Sequence, residues 1–69
     1  MSVEKLAYKA NKIGKFFESQ NPETAVVAIA EHLRLFWAPA MRARLLGQID
    51  AVPLAPLVRQ AVELLRAPA

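Results

Sequence analysis

Sixty-nine residues allow one domain at most, and a chain of this length buries only about 60% of the surface that its unfolded form exposes. Small domains usually compensate with disulfides, a structural metal or a partner. This chain has no cysteine, and its single histidine cannot build a zinc site. A net charge of +3 allows an acidic protein, a nucleic acid or a membrane surface as the partner without selecting one.

The predicted location of the chain is the cytoplasm. The absence of cysteine fits a reducing compartment and excludes thiol catalysis and a thiolate-bound iron–sulfur cluster. The first residues, "MSVEKLAYKANKIGKFF", carry a charge every few positions and contain no uninterrupted apolar run. They therefore predict neither a secretory signal nor a membrane span.

Prolines separate stretches of helical periodicity, and the first two stretches are long. The first predicted helix runs from a cap at Ser2 to about Ser19, and Glu4 complements its dipole. Asn21 as a cap and Pro22 at the first helical position predict a second helix over about 22–37. The faces predicted to meet the core are Val3, Leu6, Ala10, Ile13 and Phe17 in the first helix and Val26, Ile29, Ala30, Leu33, Phe36 and Trp37 in the second.

Two further helices are predicted after Pro39, which also ends the second helix by restricting Ala38. The third covers 39–50 and is weakened by Gly47, and the fourth begins at Pro56. Their apolar faces are Met41, Leu45 and Ile49, and then Leu57, Val58, Ala61, Val62, Leu64 and Leu65. Without any strand alternation, residues 1–69 predict a single all-α domain, a small bundle of three to four short helices with proline-marked turns.

The side chains that could perform catalysis are few and scattered. Ser2, Ser19 and Thr24 stand at predicted helix ends, where capping explains them. Glu31 and His32 are adjacent, so they point about 100° apart on a helix and form no dyad. Neither glycine belongs to a phosphate-binding loop. The sequence therefore predicts a binding protein with no catalytic, metal or cofactor-binding residues.

The first candidate binding surface is a basic side of the first helix. Lysines recur every three or four residues away from the apolar stripe, with Tyr8 and Phe16 among them: Lys5, Lys9, Lys12 and Lys15. Such a face can follow a nucleic-acid backbone, can dock on an acidic protein, or can simply be solvated. The composition leaves these three alternatives open.

The second candidate surface lies between His32 and Leu46, around Trp37. Tryptophan and arginine are enriched among residues that dominate interface energetics. Trp37 is either the largest core residue or an anchor for a partner, or both if one ring edge packs inward. His32 is predicted at the helix surface or its boundary. Arg42 is expected to lay its stem along the stripe of the third helix and present its guanidinium at the rim.

Three stretches together resemble a known family. "KLAYKANKIGKFFES", "AVVAIAEHLRLFWAPAMR" and "LAPLVRQAV" are similar to the delta subunit of NAD-dependent, molybdenum- or tungsten-containing formate dehydrogenases, from about Val3 to Leu65. The resemblance implies a small, non-catalytic accessory subunit that attaches to the large alpha subunit. That subunit would hold the molybdopterin guanine dinucleotide cofactor, and beta and gamma partners would carry iron–sulfur clusters, FMN and the NAD site.

The resemblance, taken with the two candidate surfaces, predicts a set of partner-binding residues. They are Trp37, Pro39, Met41, Arg42, Arg44, His32, Phe36, Tyr8 and Phe16. Family members commonly carry a charged residue and an arginine where this chain has Ala38 and Ala40, and their linker before "PLV" is longer than "DAVPLAP". The alternative function is a small basic helical protein that binds nucleic acid or associates with itself.

Overall fold

Four helices form a small bundle in a computed structural model that describes residues 2–66. Within that range the chain contains no strand, which confirms the predicted all-α class. The bundle measures 28 × 26 × 20 Å. The helices are α1 at Val3–Gln20, α2 at Ala25–Phe36, α3 at Pro39–Gly47 and α4 at Pro56–Leu64.

Most helix starts follow the local signals in the sequence. Ser2 caps α1, since its side chain accepts a hydrogen bond of 3.2 Å from the backbone N–H of Lys5. Pro39 and Pro56 occupy the first positions of α3 and α4. These three predictions are confirmed.

The start of α2 and the end of α3 differ from the prediction. The Asn21 side chain accepts a bond of 3.0 Å from the Glu23 N–H, so residues 22–24 form a turn and the helix begins at Ala25 rather than at Pro22. After Gly47 the backbone changes to bonds between residues three apart, such as Gln48 N–H to the Leu45 carbonyl at 3.1 Å. The low helix propensity of glycine accounts for that end, three residues before Asp50.

The core lies where α2 packs against α1 and α4. Trp37, the residue that follows α2, joins this core and keeps only 9% of its surface exposed. The prediction of a packed core along one stripe of each helix is confirmed by six large side chains that are fully buried: Leu6, Ile29, Leu33, Leu45, Val58 and Val62.

Two residues assigned to the core by periodicity are exposed, so these assignments are wrong. Phe36 is 72% exposed and Leu64 is 43% exposed. Each is the last residue of its helix and stands at the edge of the apolar stripe. A residue at the edge of the stripe has fewer neighbours to cover it at a helix end, and the ring of Phe36 lies against His32 instead of in the core.

A close approach of α1 and α4 explains the glycine inside α1. Gly14 is buried, and a methyl group in its place would collide with the Cγ2 methyl of Val58. Glycine lowers helix stability by about 1 kcal/mol relative to alanine. The contact between the two helices is the physical reason that glycine stands here.

Asn11 fixes the loop that leads into α4. Its side-chain amide donates to the carbonyl of Pro53 and its oxygen accepts from the N–H of Ala55, both at 2.9 Å. One side chain of α1 thus satisfies two backbone groups more than forty positions away. Arg59 of α4 donates to the Ile49 carbonyl at 3.2 Å and pairs with Asp50, and the hydrogen bond with Asp50 raises the pKa of Arg59.

Candidate protein-binding surface

Four aromatic side chains form a continuous row across α1 and α2, which we call the aromatic row. Ring centroids are 5.3 Å apart between Phe16 and Phe17, and 5.8 Å apart between Phe17 and His32. The rings of His32 and Phe36 are 4.8 Å apart. The first two pairs are edge to face, a favourable arrangement for aromatic rings at such distances, and the rings of His32 and Phe36 are tilted by 42°.

The helix geometry explains how these four residues meet. Phe16 and Phe17 are neighbours on α1, so they point about 100° apart, and one ring faces outward while the other turns toward α2. His32 and Phe36 are four residues apart on α2 and therefore share a face. Packing of α1 on α2 brings Phe17 against His32 and joins the two halves of the row.

The ends of the aromatic row are open to solvent. Phe16 is 58% exposed and Phe36 is 72% exposed, whereas Phe17 and His32 between them are half-buried. Leu35, three residues after His32 on the same side of α2, is 70% exposed and extends the apolar area. Exposed apolar side chains grouped in this way are typical of a surface that binds another protein.

Two of the predicted partner contacts, Trp37 and Arg42, also have a role within the fold of this chain. Trp37 packs in the core, and contact of its remaining edge with a partner stays a prediction. Arg42 caps the end of α2. Its Nη1 donates to the carbonyls of Arg34 at 2.7 Å and Trp37 at 3.0 Å, and a longer contact of 3.5 Å reaches the carbonyl of Leu33. A positive side chain at this place satisfies the last carbonyls of the helix, those of Arg34 and Trp37, and interacts favourably with the helix dipole.

The residues predicted on α3 belong to a different part of the surface. Pro39 is exposed at the start of α3, and Arg44 is exposed one turn later. Met41 is half-buried, and with Arg44 it lines a groove between α1 and α3. The remaining lining residues are Leu6, Ala40 and Ala43, and none of the five belongs to the aromatic row.

Tyr8 lies among the lysines of α1 and does not belong to the aromatic row. It is 62% exposed, and the ammonium of Lys12 is 5.3 Å from the centroid of its ring. All four lysines of this helix have exposed side chains. We call Tyr8 and these lysines the lysine face, which comprises Lys5, Tyr8, Lys9, Lys12 and Lys15.

The side-chain hydroxyl groups of serine are used locally, but capping is confirmed only for Ser2, because Thr24 makes no capping hydrogen bond with its side chain. The Ser2 hydroxyl accepts from Lys5, and that of Ser19 donates to the Phe16 carbonyl at 2.7 Å. Glu31 pairs with Arg34 at 3.5 Å rather than with its neighbour His32. Across residues 2–66, no three metal-ligating side chains come together, and none of the helices has the length and apolarity needed to cross a membrane.

Sequence reasoning identified three members of the aromatic row and missed the fourth. Phe16, His32 and Phe36 were predicted as partner contacts, whereas Phe17 was assigned only to the core stripe. The signal that could have joined them is the adjacent Phe16–Phe17 pair together with the four-residue spacing of His32 and Phe36. Asn11 and Gly14, which place α4, carry no local signal of their long-range contacts.

Comparison with known protein families gives a match over most of the chain. Residues 5–62 match the family model of the NADH-dependent formate dehydrogenase delta subunit, FdsD. No curated protein and no solved structure shows significant similarity to the chain. The matched range contains the whole aromatic row, the lysine face, and the Asn11 and Gly14 contacts with the α4 region. Because the match covers most of its length, the chain belongs to the family of NADH-dependent formate dehydrogenase delta subunits.

Proposed function

We propose that this chain is a non-catalytic accessory subunit that binds the large, molybdopterin-containing alpha subunit of a formate dehydrogenase through the aromatic row. Membership of the delta-subunit family indicates that the complex is an NADH-dependent formate dehydrogenase. The exposure of Phe16 and Phe36 at the two ends of a packed row is the observation that supports the contact. Bound in this way, the chain stabilises the alpha subunit or assists its assembly with the beta and gamma subunits.

The row is large enough to form the centre of an interface. With about 200 Å² for each phenylalanine side chain, Phe16 and Phe36 together expose roughly 260 Å². At about 25 cal/mol per Å², covering this area contributes at most about 6 kcal/mol to binding. A stable interface covers about 800 Å² on each partner, so the row needs a surrounding rim within the 4558 Å² surface of the chain.

The chemistry of formate oxidation belongs, in this proposal, to the partner subunits. The alpha subunit holds the molybdopterin guanine dinucleotide with molybdenum or tungsten, and beta and gamma hold the iron–sulfur clusters, FMN and the NAD site. Three polar side chains support the assignment, because they act within the fold. Asn11 clamps a loop, Arg42 caps α2 and Asp50 pairs with Arg59.

Co-purification with a tagged alpha subunit tests the contact. We expect the double variant Phe16→Ala/Phe36→Ala to be lost from the purified complex, because each truncation weakens binding by about 2 kcal/mol, or roughly thirtyfold. Val27→Ala is the matched control, since Val27 is 60% exposed on α2 but lies outside the row. Equal recovery of the double variant and the wild-type chain, with both folded by circular dichroism, would contradict the proposed contact.

Deletion of the chain tests its accessory role. We expect the complex without it to be recovered in lower yield or to melt at a lower temperature, while kcat and KM for formate stay unchanged per intact, metal-loaded molecule. A changed KM for formate, with cofactor content equal, would show that the chain takes part in the reaction itself. A symmetric oligomer of the chain alone, with no affinity for the alpha subunit, would favour self-association.

A further inference from the structure

The lysine face is a one-sided concentration of positive charge. At about 100° per residue, its four lysines fall within an arc of roughly 120° on α1. The two acidic residues of this helix, Glu4 and Glu18, fall outside that arc. The face therefore presents a positive surface without an intervening carboxylate.

Carboxylates within residues 2–66 do not neutralise these charges. Ion pairs in the part of the chain that the structure describes join arginines to carboxylates, and none of them includes a lysine. The pairs are Arg34 with Glu31, Arg59 with Asp50, and Arg66 with Glu63. The uncompensated lysines thus exceed the net charge of +3 of the whole chain.

Phe16 connects the lysine face to the aromatic row. It follows Lys12 by four residues and Lys9 by seven, so it lies beside both on the same side of α1. Its ring also contacts Phe17, the next member of the row. A partner that covers Phe16 and extends one or two turns along the same side of α1 therefore also meets Lys12 and Lys9.

From this juxtaposition we propose that the lysine face binds an acidic protein surface that borders the apolar socket for the aromatic row on the alpha subunit. The inference rests on the proposed function and adds the chemistry of the partner: an apolar socket with a carboxylate-rich rim on one side. Lysines that approach carboxylates at such a rim accelerate association by steering and contribute less to the lifetime of the complex.

The same observations favour a protein over a nucleic acid. Base stacking needs free ring faces beside the phosphate contacts. Lys12 covers one face of the Tyr8 ring, and Phe16 packs edge to face with Phe17, so fewer ring faces remain for stacking. Arginine is the residue suited to bidentate phosphate binding. Three of the five arginines are paired with carboxylates, and Arg42 is bound to backbone carbonyls.

Association kinetics separate the charge contribution from the apolar one. The purified full chain is mixed with the alpha subunit, and rate constants are measured between about 50 and 500 mM salt, because salt shortens the range of electrostatic attraction from more than 10 Å to about 4 Å. The variant is Lys9→Gln/Lys12→Gln. Its control is Gln48→Glu/Gln60→Glu, which changes the net charge equally at exposed positions outside α1.

At low salt, we expect the association rate constant of the lysine variant to be five to ten times lower than that of the wild-type chain. At high salt the two association rate constants should be equal. The dissociation rate constants of the two chains should differ by less than twofold. The control should stay within twofold throughout. Zero-length carbodiimide coupling should also link Lys9 or Lys12 to aspartate or glutamate of the alpha subunit, as mass spectrometry can show.

Two results would overturn the inference while the proposed function stands. One is an association rate that is the same for the lysine variant and the wild-type chain at low salt. The other is salt-sensitive, lysine-dependent binding to a DNA duplex or a single-stranded RNA while binding to the alpha subunit is unaffected by the lysine variant. If the wild-type chain fails to bind the alpha subunit at any salt concentration, the proposed function fails, and this inference fails with it.

Discussion

The same substitution at the two glycines is expected to change stability in opposite directions. A methyl group at position 14 would collide with Cγ2 of Val58 and lie 3.5 Å from Cδ1 of Ile29. Val58 is β-branched and fully buried, so its side chain cannot rotate away at low cost. At Gly47, at the end of α3, nothing lies within 4 Å of the added methyl group, and the backbone φ is not positive.

The magnitudes follow from two opposing contributions. Alanine is more favourable than glycine inside a helix by about 1 kcal/mol, and overpacking a core costs about 1–3 kcal/mol. The stiffness of Val58 places the clash in the upper part of that range, so Gly14→Ala should lower the free energy of unfolding by about 1–2 kcal/mol. Gly47→Ala should raise it by about 0.5 kcal/mol, because it stands in the last turn of its helix.

Urea unfolding and thermal melting of the full chain, followed by circular dichroism, measure both effects. At about 4–8 °C per kcal/mol for a domain of this size, Gly14→Ala should lower Tm by roughly 4–16 °C. The double variant Gly14→Ala/Val58→Ala should lose about 1 kcal/mol less stability than the sum of the losses in the two single variants, because the smaller side chain at position 58 removes the clash. A Gly14→Ala chain as stable as the wild type, or purely additive effects in the double variant, would refute the packing argument.

Three further predictions concern single side chains. Asn11→Ala should lower the free energy of unfolding by about 1–3 kcal/mol, since two backbone groups of the loop before α4 lose their partner; urea unfolding would show it, and an unchanged midpoint would contradict the clamp. Arg42→Met keeps the stem but removes the hydrogen bonds, so the last-turn amides of α2 should exchange faster and stability should fall by about 1–2 kcal/mol. Trp37→Ala should lower the free energy of unfolding by about 3–5 kcal/mol, and Phe36→Ala should lower it by less than about 0.5 kcal/mol. A larger loss of Tm for Phe36→Ala than for Trp37→Ala would show that the burial of the two residues is misassigned.

The sequence predicted most residues of the candidate surface, but it did not predict which of them contact each other. Phe16, His32 and Phe36 stand out in the sequence because aromatic side chains are few in this chain. Their assembly into one row depends on Phe17, which contacts His32 only when α1 packs on α2. Periodicity alone assigned Phe36 to the core, because it records the direction of a side chain but not whether a neighbouring helix extends far enough to cover it.

The sequence by itself determined the helical class and most helix starts. A hydroxyl at Ser2 and the rings of Pro39 and Pro56 act on backbone groups within three or four residues, so their effect does not depend on the rest of the fold. The apolar spacing of α1, α2 and α4 likewise fixed which stripe of each helix is buried over most of its length.

Only the tertiary structure decided how the helices are joined and which rings remain uncovered. Asn11 reaches a loop more than forty positions away, Gly14 meets Val58, and Arg42 turns back onto the end of α2. Each of these contacts needs two segments to be placed at a fixed distance and rotation, which no local pattern encodes. The exposed aromatic row arises in the same way, because four short helices enclose the core but leave the outer sides of α1 and α2 without a neighbour.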